Sequence, residues 1–211
     1  MPEIAVVCIK QGDKYGLEYV NILASMVKRN LTIPHEFLCY TDQPAGIRPD
    51  ISCLPMLCEY PGWWSKIGLY QEKLPGVVTD RMLYLDLDVV ITGSLDDIVQ
   101  YSEDFIAARD WPEGSLNDKG GMNSSVMLLK VGSRAEVWNR FDLEIARRDY
   151  YGDQEYVNAL GVNFVLFPDA WVKSYKLHQL QDDFPEGTGI VFFHGQPKPP
   201  DCGGWVKDCW H

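Results

Sequence analysis

Short apolar runs of strand length alternate along the chain with stretches in which apolar residues recur every three or four positions. Residues 4–9, Ile-Ala-Val-Val-Cys-Ile, form one such run and predict a buried strand. After the turn Gln11-Gly12-Asp13, residues Leu17, Val20, Leu23, Ala24 and Val27 recur at helical spacing, with Asp13 as a candidate N-cap. Residues 34–40 read as a second strand, so the chain opens as β-α-β, the unit of a parallel sheet. A loop over 46–55 leads to a short strand, and Trp63, Trp64, Ile67 and Tyr70 predict a helix lying on the sheet. Strands are expected at 81–85, 105–108 and 122–129, the last opening on the polar triplet Asn123-Ser124-Ser125. An amphipathic helix is expected over 133–148 and a shorter one over 154–160. A final strand, 189–193, ends at His194 and gives way to a Pro/Gly-rich tail. The alternation predicts an α/β fold with a mostly parallel central sheet flanked by helices, a single domain over residues 1–211. Ligands are then expected at the carboxyl ends of strands, where Asp86 and His194 fall.

Composition narrows the partners. Of 211 residues, 46% are hydrophobic and 23% charged, the balance of a globular chain with a full core. The net charge of −11 argues against nucleic acid as a partner. A phosphorylated small ligand stays compatible, because one divalent cation reverses the local field in a cleft. No apolar run reaches the roughly 18 residues of a transmembrane helix, and Met1-Pro2-Glu3 shows no basic leader, so a cytoplasmic location is expected. None of the six cysteines forms a Cys-x-x-Cys pair, which leaves a zinc site unsupported. Cys8 and Cys39 read as buried thiols. Cys202 and Cys209 flank a Gly-Gly-Trp turn and could pair, against which a cytoplasmic location argues.

The chemistry centres on Tyr84-Leu85-Asp86-Leu87-Asp88-Val89-Val90-Ile91, two carboxylates in an apolar stretch. Burying a carboxylate costs several kcal/mol unless compensated. At i and i+2 of an extended backbone both acids face one side and repel each other. A divalent metal would resolve both problems, since hard oxygens suit magnesium or manganese. The plain alternative is a strand-end turn with solvated acids. Near the C-terminus, His194 is followed by Gly195, which permits close backbone approach to a ligand, and by Lys198, a point charge suited to phosphate. Histidine with two aspartates is a credible manganese set that leaves positions open for diphosphate oxygens.

These residues resemble family 8 of the GT-A glycosyltransferases, the glycogenin-like enzymes. Tyr84-Leu85-Asp86-Leu87-Asp88 is similar to the family's Asp-x-Asp motif. Gly12-Asp13-Lys14-Tyr15 resembles its Asn-Asp-x-Tyr, in which the tyrosine stacks on uracil. Ser65-Lys66 resembles its basic position near the donor, and Asn123-Ser124-Ser125 its Asn-Ser-Gly sugar site. Asp153-Gln154 with Asn158 matches Asp-Gln-x-x-x-Asn. The stretch from His194 to Pro199 resembles the closing His-x-x-Gly-x-x-Lys-Pro-Trp, two residues shorter before Lys198 and with Pro200 in place of the tryptophan.

The resemblance implies a GT-A, Rossmann-like fold. It further implies a manganese- or magnesium-dependent transfer of sugar from a nucleotide-sugar, favoured as UDP-sugar, to a glycan, lipid or protein acceptor, with retention of configuration. Asp86, Asp88 and His194 would hold the metal. Ile9, Tyr15, Lys66, Asp86, Asn123, Ser124, Gly195 and Lys198 would hold the donor. Asp153 and Gln154 would approach the sugar, and Asp110 or Asp153 would be the candidate base if the reaction inverts.

Each supporting residue has a plainer reading. Tyr15 could be a core residue, Asn123 the cap of a bulge, and Asp153 an N-cap. Trp63, Trp64 and Trp205 are the candidates for stacking on an acceptor. Two rivals stand beside the transferase. One is a haloacid-dehalogenase-type phosphatase with Asp86 as nucleophile, Asp88 as acid/base and Asp182-Asp183 as its late motif. The other is a sugar-nucleotide binding module without catalysis.

Overall fold

The computed structural model describes residues 1–111 and 120–211. Strand β1 (Ile4–Lys10) is buried along its whole length. Helix α1 (Leu17–Asn30) follows, then β2 (His35–Thr41) and the short β3 (Ser52–Leu54). A 3-10 helix (Gly62–Tyr70) leads to β4 (Arg81–Leu85), β5 (Val89–Ile91) and α2 (Asp96–Val99). Next come β6 (Phe105–Arg109), β7 (Met122–Lys130), α3 (Ala135–Asn139), α4 (Leu143–Asp149) and α5 (Asp153–Ala159). The chain closes through β8 (Val165–Leu166), β9 (Val172–Ser174), β10 (Ile190–Phe192), a 3-10 turn (Pro199–Asp201) and α6 (Trp205–Cys209).

The central sheet runs β3-β2-β1-β4-β7-β6-β8. It is parallel from β3 to β4, antiparallel on both sides of β7, and parallel again at β8. Alternation along the strands divides the core in two. Val6, Cys8, Leu83, Leu85, Val126 and Leu128 pack on the face covered by α1. Ala5, Val7, Ile9, Met82, Tyr84 and Met127 pack on the opposite face with Trp64, Ile67 and Tyr70 of the 3-10 helix. A second small sheet, β5-β10-β9, brings the chain after β4 beside the C-terminal segment, with Val89 opposite Phe192.

Local readings are corrected in two places. Helix α1 starts after Gly16 with no side-chain cap, and Asp13 instead accepts from Gln43 Nε2 at 3.1 Å. The single helix expected over 133–148 is broken, because Asp142 accepts from the Ile145 amide and starts a new helix. Phe141 at the break packs against Tyr60, Trp64 and Tyr156. The six cysteines are free thiols, with Cys8 and Cys39 buried. Among the described residues, no helix is long and apolar enough to cross a membrane.

Candidate active site

The parallel strands β1, β2 and β4 end on the same edge of the sheet, and the polar cluster forms there. Strand β4 places Tyr84 on the face of the 3-10 helix, and Asp86, two residues on, continues to that side. The Tyr84 hydroxyl donates to Asp86 Oδ1 at 2.7 Å, and Lys66 Nζ donates to Oδ2 at 2.9 Å and to Ser124 Oγ at 3.1 Å. Burial alone would lower the Lys66 pKa, but Asp86, with Asp153 and Asp88, reverses this and leaves it raised.

The chain then turns, so the expectation that both aspartates share one face of an extended strand is corrected. Asp88 is buried at 4% exposure on the far side of that turn, where its Oδ2 accepts from the Tyr15 hydroxyl at 2.7 Å and from Lys198 Nζ. Mutual repulsion is relieved by giving each carboxylate its own lysine, one from the 3-10 helix and one from beyond β10. The antiparallel pairing of β5 with β10 makes the second contact possible. Tyr15 is therefore neither a plain core residue nor exposed. Burial and the neighbouring Asp88 hold its phenol well above the usual range.

Strand β7 supplies the triplet Asn123-Ser124-Ser125 through an irregularity. Ala107 of β6 pairs with Met127, yet the next residue, Ala108, pairs with Asn123, so residues 124–126 are unmatched on that side. Asn123 Oδ1 accepts from the Ser125 amide at 2.9 Å, which caps this bulge, and the Asp86 amide donates to Ser125 O at 2.8 Å. Asp153 is the first residue of α5 and the N-cap is Gly152, so the N-cap reading of Asp153 is corrected. Burial pushes the Asp153 carboxyl up, opposed by Lys66 and by a hydrogen bond with Ser124. Gln154 Nε2 donates to Asp110 Oδ2 at 3.3 Å. Burial also raises Asp110, against hydrogen bonds with Asn123 and Gln154. Asn158 clamps Met122 through both backbone groups, at 2.9 and 3.0 Å, and holds the start of β7 in place.

Of the remaining predicted residues, Ile9 is buried in the core on the 3-10 helix side. Gly195 is exposed with φ +64°, a left-handed conformation that favours glycine. His194 Nε2 hydrogen-bonds Ser174 Oγ at 2.9 Å. Sequence reasoning missed Tyr84 and Ser174. The i, i+2 spacing of Tyr84 and Asp86 was a usable signal for the first, whereas Ser174 reaches His194 only through the β9–β10 pairing. Of the tryptophans, Trp64 and Trp205 are buried at 4% and 8%, so neither is open to an acceptor, while Trp63 is 42% exposed. Asp182 and Asp183 are exposed between β9 and β10.

The donor chemistry fits a hard divalent cation at Asp86 and Asp88. Three carboxylates, Asp86, Asp88 and Asp153, share the site with two ammonium groups, Lys66 and Lys198. Among the described residues, no three His, Cys, Asp or Glu side chains are gathered as a metal-ligand group.

No family profile matches the chain, and no curated protein matches it. Solved structures do. The galactosyltransferase LgtC in complex with donor and acceptor sugar analogues superposes with TM-score 0.69 at 17% identity, covering 97% of this chain and 93% of that one. The glycosyltransferase GlyE of Streptococcus pneumoniae aligns with TM-score 0.67 at 16% identity, over 92% of this chain and 56% of its own. The bifunctional glycosyltransferase WbbM aligns with TM-score 0.63 at 13% identity, over 94% and 47%. The α/β architecture, with its mostly parallel central sheet flanked by helices, is that of the GT-A glycosyltransferases.

Proposed function

We propose that the protein is a metal-dependent glycosyltransferase that moves a sugar from a nucleoside-diphosphate sugar, favoured as UDP-sugar, to an acceptor with retention of configuration. The observation that carries this reading is the cluster at the strand ends. Asp86 is paired with Lys66, Asp88 with Lys198 and Tyr15, and buried Asp153 lies beside them, on a fold shared with LgtC and GlyE.

Asp86 and Asp88 would hold manganese or magnesium, with His194 proposed from the family resemblance as the third ligand. When bound, that cation would neutralise the charge that develops as the nucleoside diphosphate leaves. Lys198 and Lys66 sit on the two metal-binding carboxylates and supply further positive charge to the phosphates. Tyr15, in the loop between β1 and α1, would lie against the base. Asn123, Ser124 and Gly195 would line the sugar and diphosphate. Asp153 and Gln154 would face the anomeric carbon, where a carboxylate stabilises positive charge. If the reaction inverts, Asp110 or Asp153 would take the acceptor proton.

A panel of nucleotide-sugars incubated with manganese tests the proposal. Hydrolysis or transfer with one donor, abolished by a chelator, is expected. Turnover of an aryl phosphate with no nucleotide-sugar turnover would refute it, and tight donor binding with neither hydrolysis nor transfer would mark a binding module.

A further inference from the structure

Beside the cluster lies a feature that the core does not explain. Trp63 and Tyr151 are 42% and 79% exposed, and neither belongs to the two cores. Their rings stack on each other with centroids 5.5 Å apart and planes 25° apart. They line a cavity of about 370 Å³ together with Pro61, Trp64, Arg147 and Tyr150. That is within the size range of small-molecule sites.

The platform is tied to the reaction centre from both ends. Gln11, just past β1, donates to Tyr60 O at 3.1 Å and accepts from the Gly62 amide at 2.8 Å, which fixes the turn before Trp63. On the other ring, Tyr151 stands two residues before Asp153. Gly152 between them runs flush against the indole, where a Cβ would lie 3.4 Å from Trp63 Nε1. Lys66, three residues after Trp63, grips Asp86. The 3-10 helix therefore carries both Trp63 and Lys66, and the chain entering α5 carries both Tyr151 and Asp153.

We propose that Trp63 and Tyr151 form the acceptor subsite and stack on the terminal pyranose ring of a glycan, with Arg147 hydrogen-bonding its hydroxyls. This rests on the transferase reading above. The C–H face of a pyranose is attracted to the negative face of an aromatic ring, and its hydroxyls remain free at the rim for donors such as guanidinium. Arg147 has no ion-pair partner among the described residues. A hydroxyl of the stacked sugar forms the new bond to the donor's anomeric carbon. The bond from that carbon to the diphosphate oxygen breaks, and the hydroxyl proton leaves on the diphosphate.

A panel of methyl α- and β-hexopyranosides, with transfer read by mass spectrometry, tests the subsite. Tyr151→Ala and Trp63→Ala are each expected to raise the acceptor KM about tenfold, while nucleoside diphosphate affinity stays within about twofold. Tyr151→Phe, which keeps the stack, should restore KM. Unchanged KM in both alanine variants overturns the proposal, as does transfer to lipid or peptide hydroxyls but to no hexopyranoside. The Trp63 indole N–H signal is also titrated with the methyl glycosides alone. A shift lost in Tyr151→Ala supports the subsite whether or not a donor turns over, and no shift refutes it. Failure of nucleotide-sugar binding by the wild type, with the indole shift present, would count against the transferase reading instead.

Discussion

Asp153 carries a conflict between stability and chemistry that a single substitution exposes. It is buried at 5% exposure beside Asp86. Burial raises its pKa, and the opposing pull of Lys66 and Ser124 does not cancel the rise. An unfolded aspartate titrates near about 3.9. Between that value and the raised one, the folded state holds the proton that the unfolded state has lost. Stability therefore falls as pH climbs through this window. Asp153→Asn removes the charge and keeps an oxygen acceptor for Ser124. The variant should be more stable at pH 7 by about 0.5–2 kcal/mol, the usual scale of single stabilising replacements. For a chain of this size that is a rise of about 1–8 °C in Tm. The gap should close as pH falls toward about 4. Donor hydrolysis should drop about 10²–10³-fold if the carboxylate stabilises charge at the anomeric carbon. Urea melts of both proteins from pH 4.5 to 8, with hydrolysis rates alongside, measure all of this. A variant less stable at pH 7, or a stability gap that does not change with pH, would show that Asp153 is compensated in the folded state and the reasoning wrong.

Lys66→Met should cost about 3–5 kcal/mol, because Asp86 and Asp153 lose the ammonium that compensates them. Denaturant midpoints should fall accordingly and recover in part at acid pH. Asp88→Asn should abolish manganese-dependent binding of a nucleoside diphosphate in calorimetry while circular dichroism stays that of the wild type. Equal affinity would sink the metal assignment. Asn158→Ala releases both backbone groups of Met122 and should cost about 1–3 kcal/mol, with faster amide exchange confined at first to residues 122–125.

Much of the scaffold was legible because it is local. Residues 4–9 and 82–85 are apolar or aromatic at every step, as a strand buried on both faces requires. The helix of Leu17–Asn30 follows from spacing on one face. The break before Leu143 was hidden, since its cause is a capping contact and an aromatic cluster drawn from Tyr60, Trp64 and Tyr156. Adjacent Trp63 and Trp64 illustrate the same limit. Both carry the same local signal, yet one is 42% and the other 4% exposed, because successive residues of a tight helix point in different directions.

The acid pair divides along the same line. That Asp86 and Asp88 needed compensation followed from composition alone, because carboxylates in an apolar run are costly wherever they end up. Which groups compensate them could not. Lys66 lies 20 positions before Asp86 and Lys198 lies 110 after Asp88, and each arrives through packing between separate elements. The local pattern determined the strands, the polar triplet and the need for positive charge. The pairing of β5 with β10 and the seating of the 3-10 helix on β4 decided where that charge comes from, because long-range contacts depend on how faces meet.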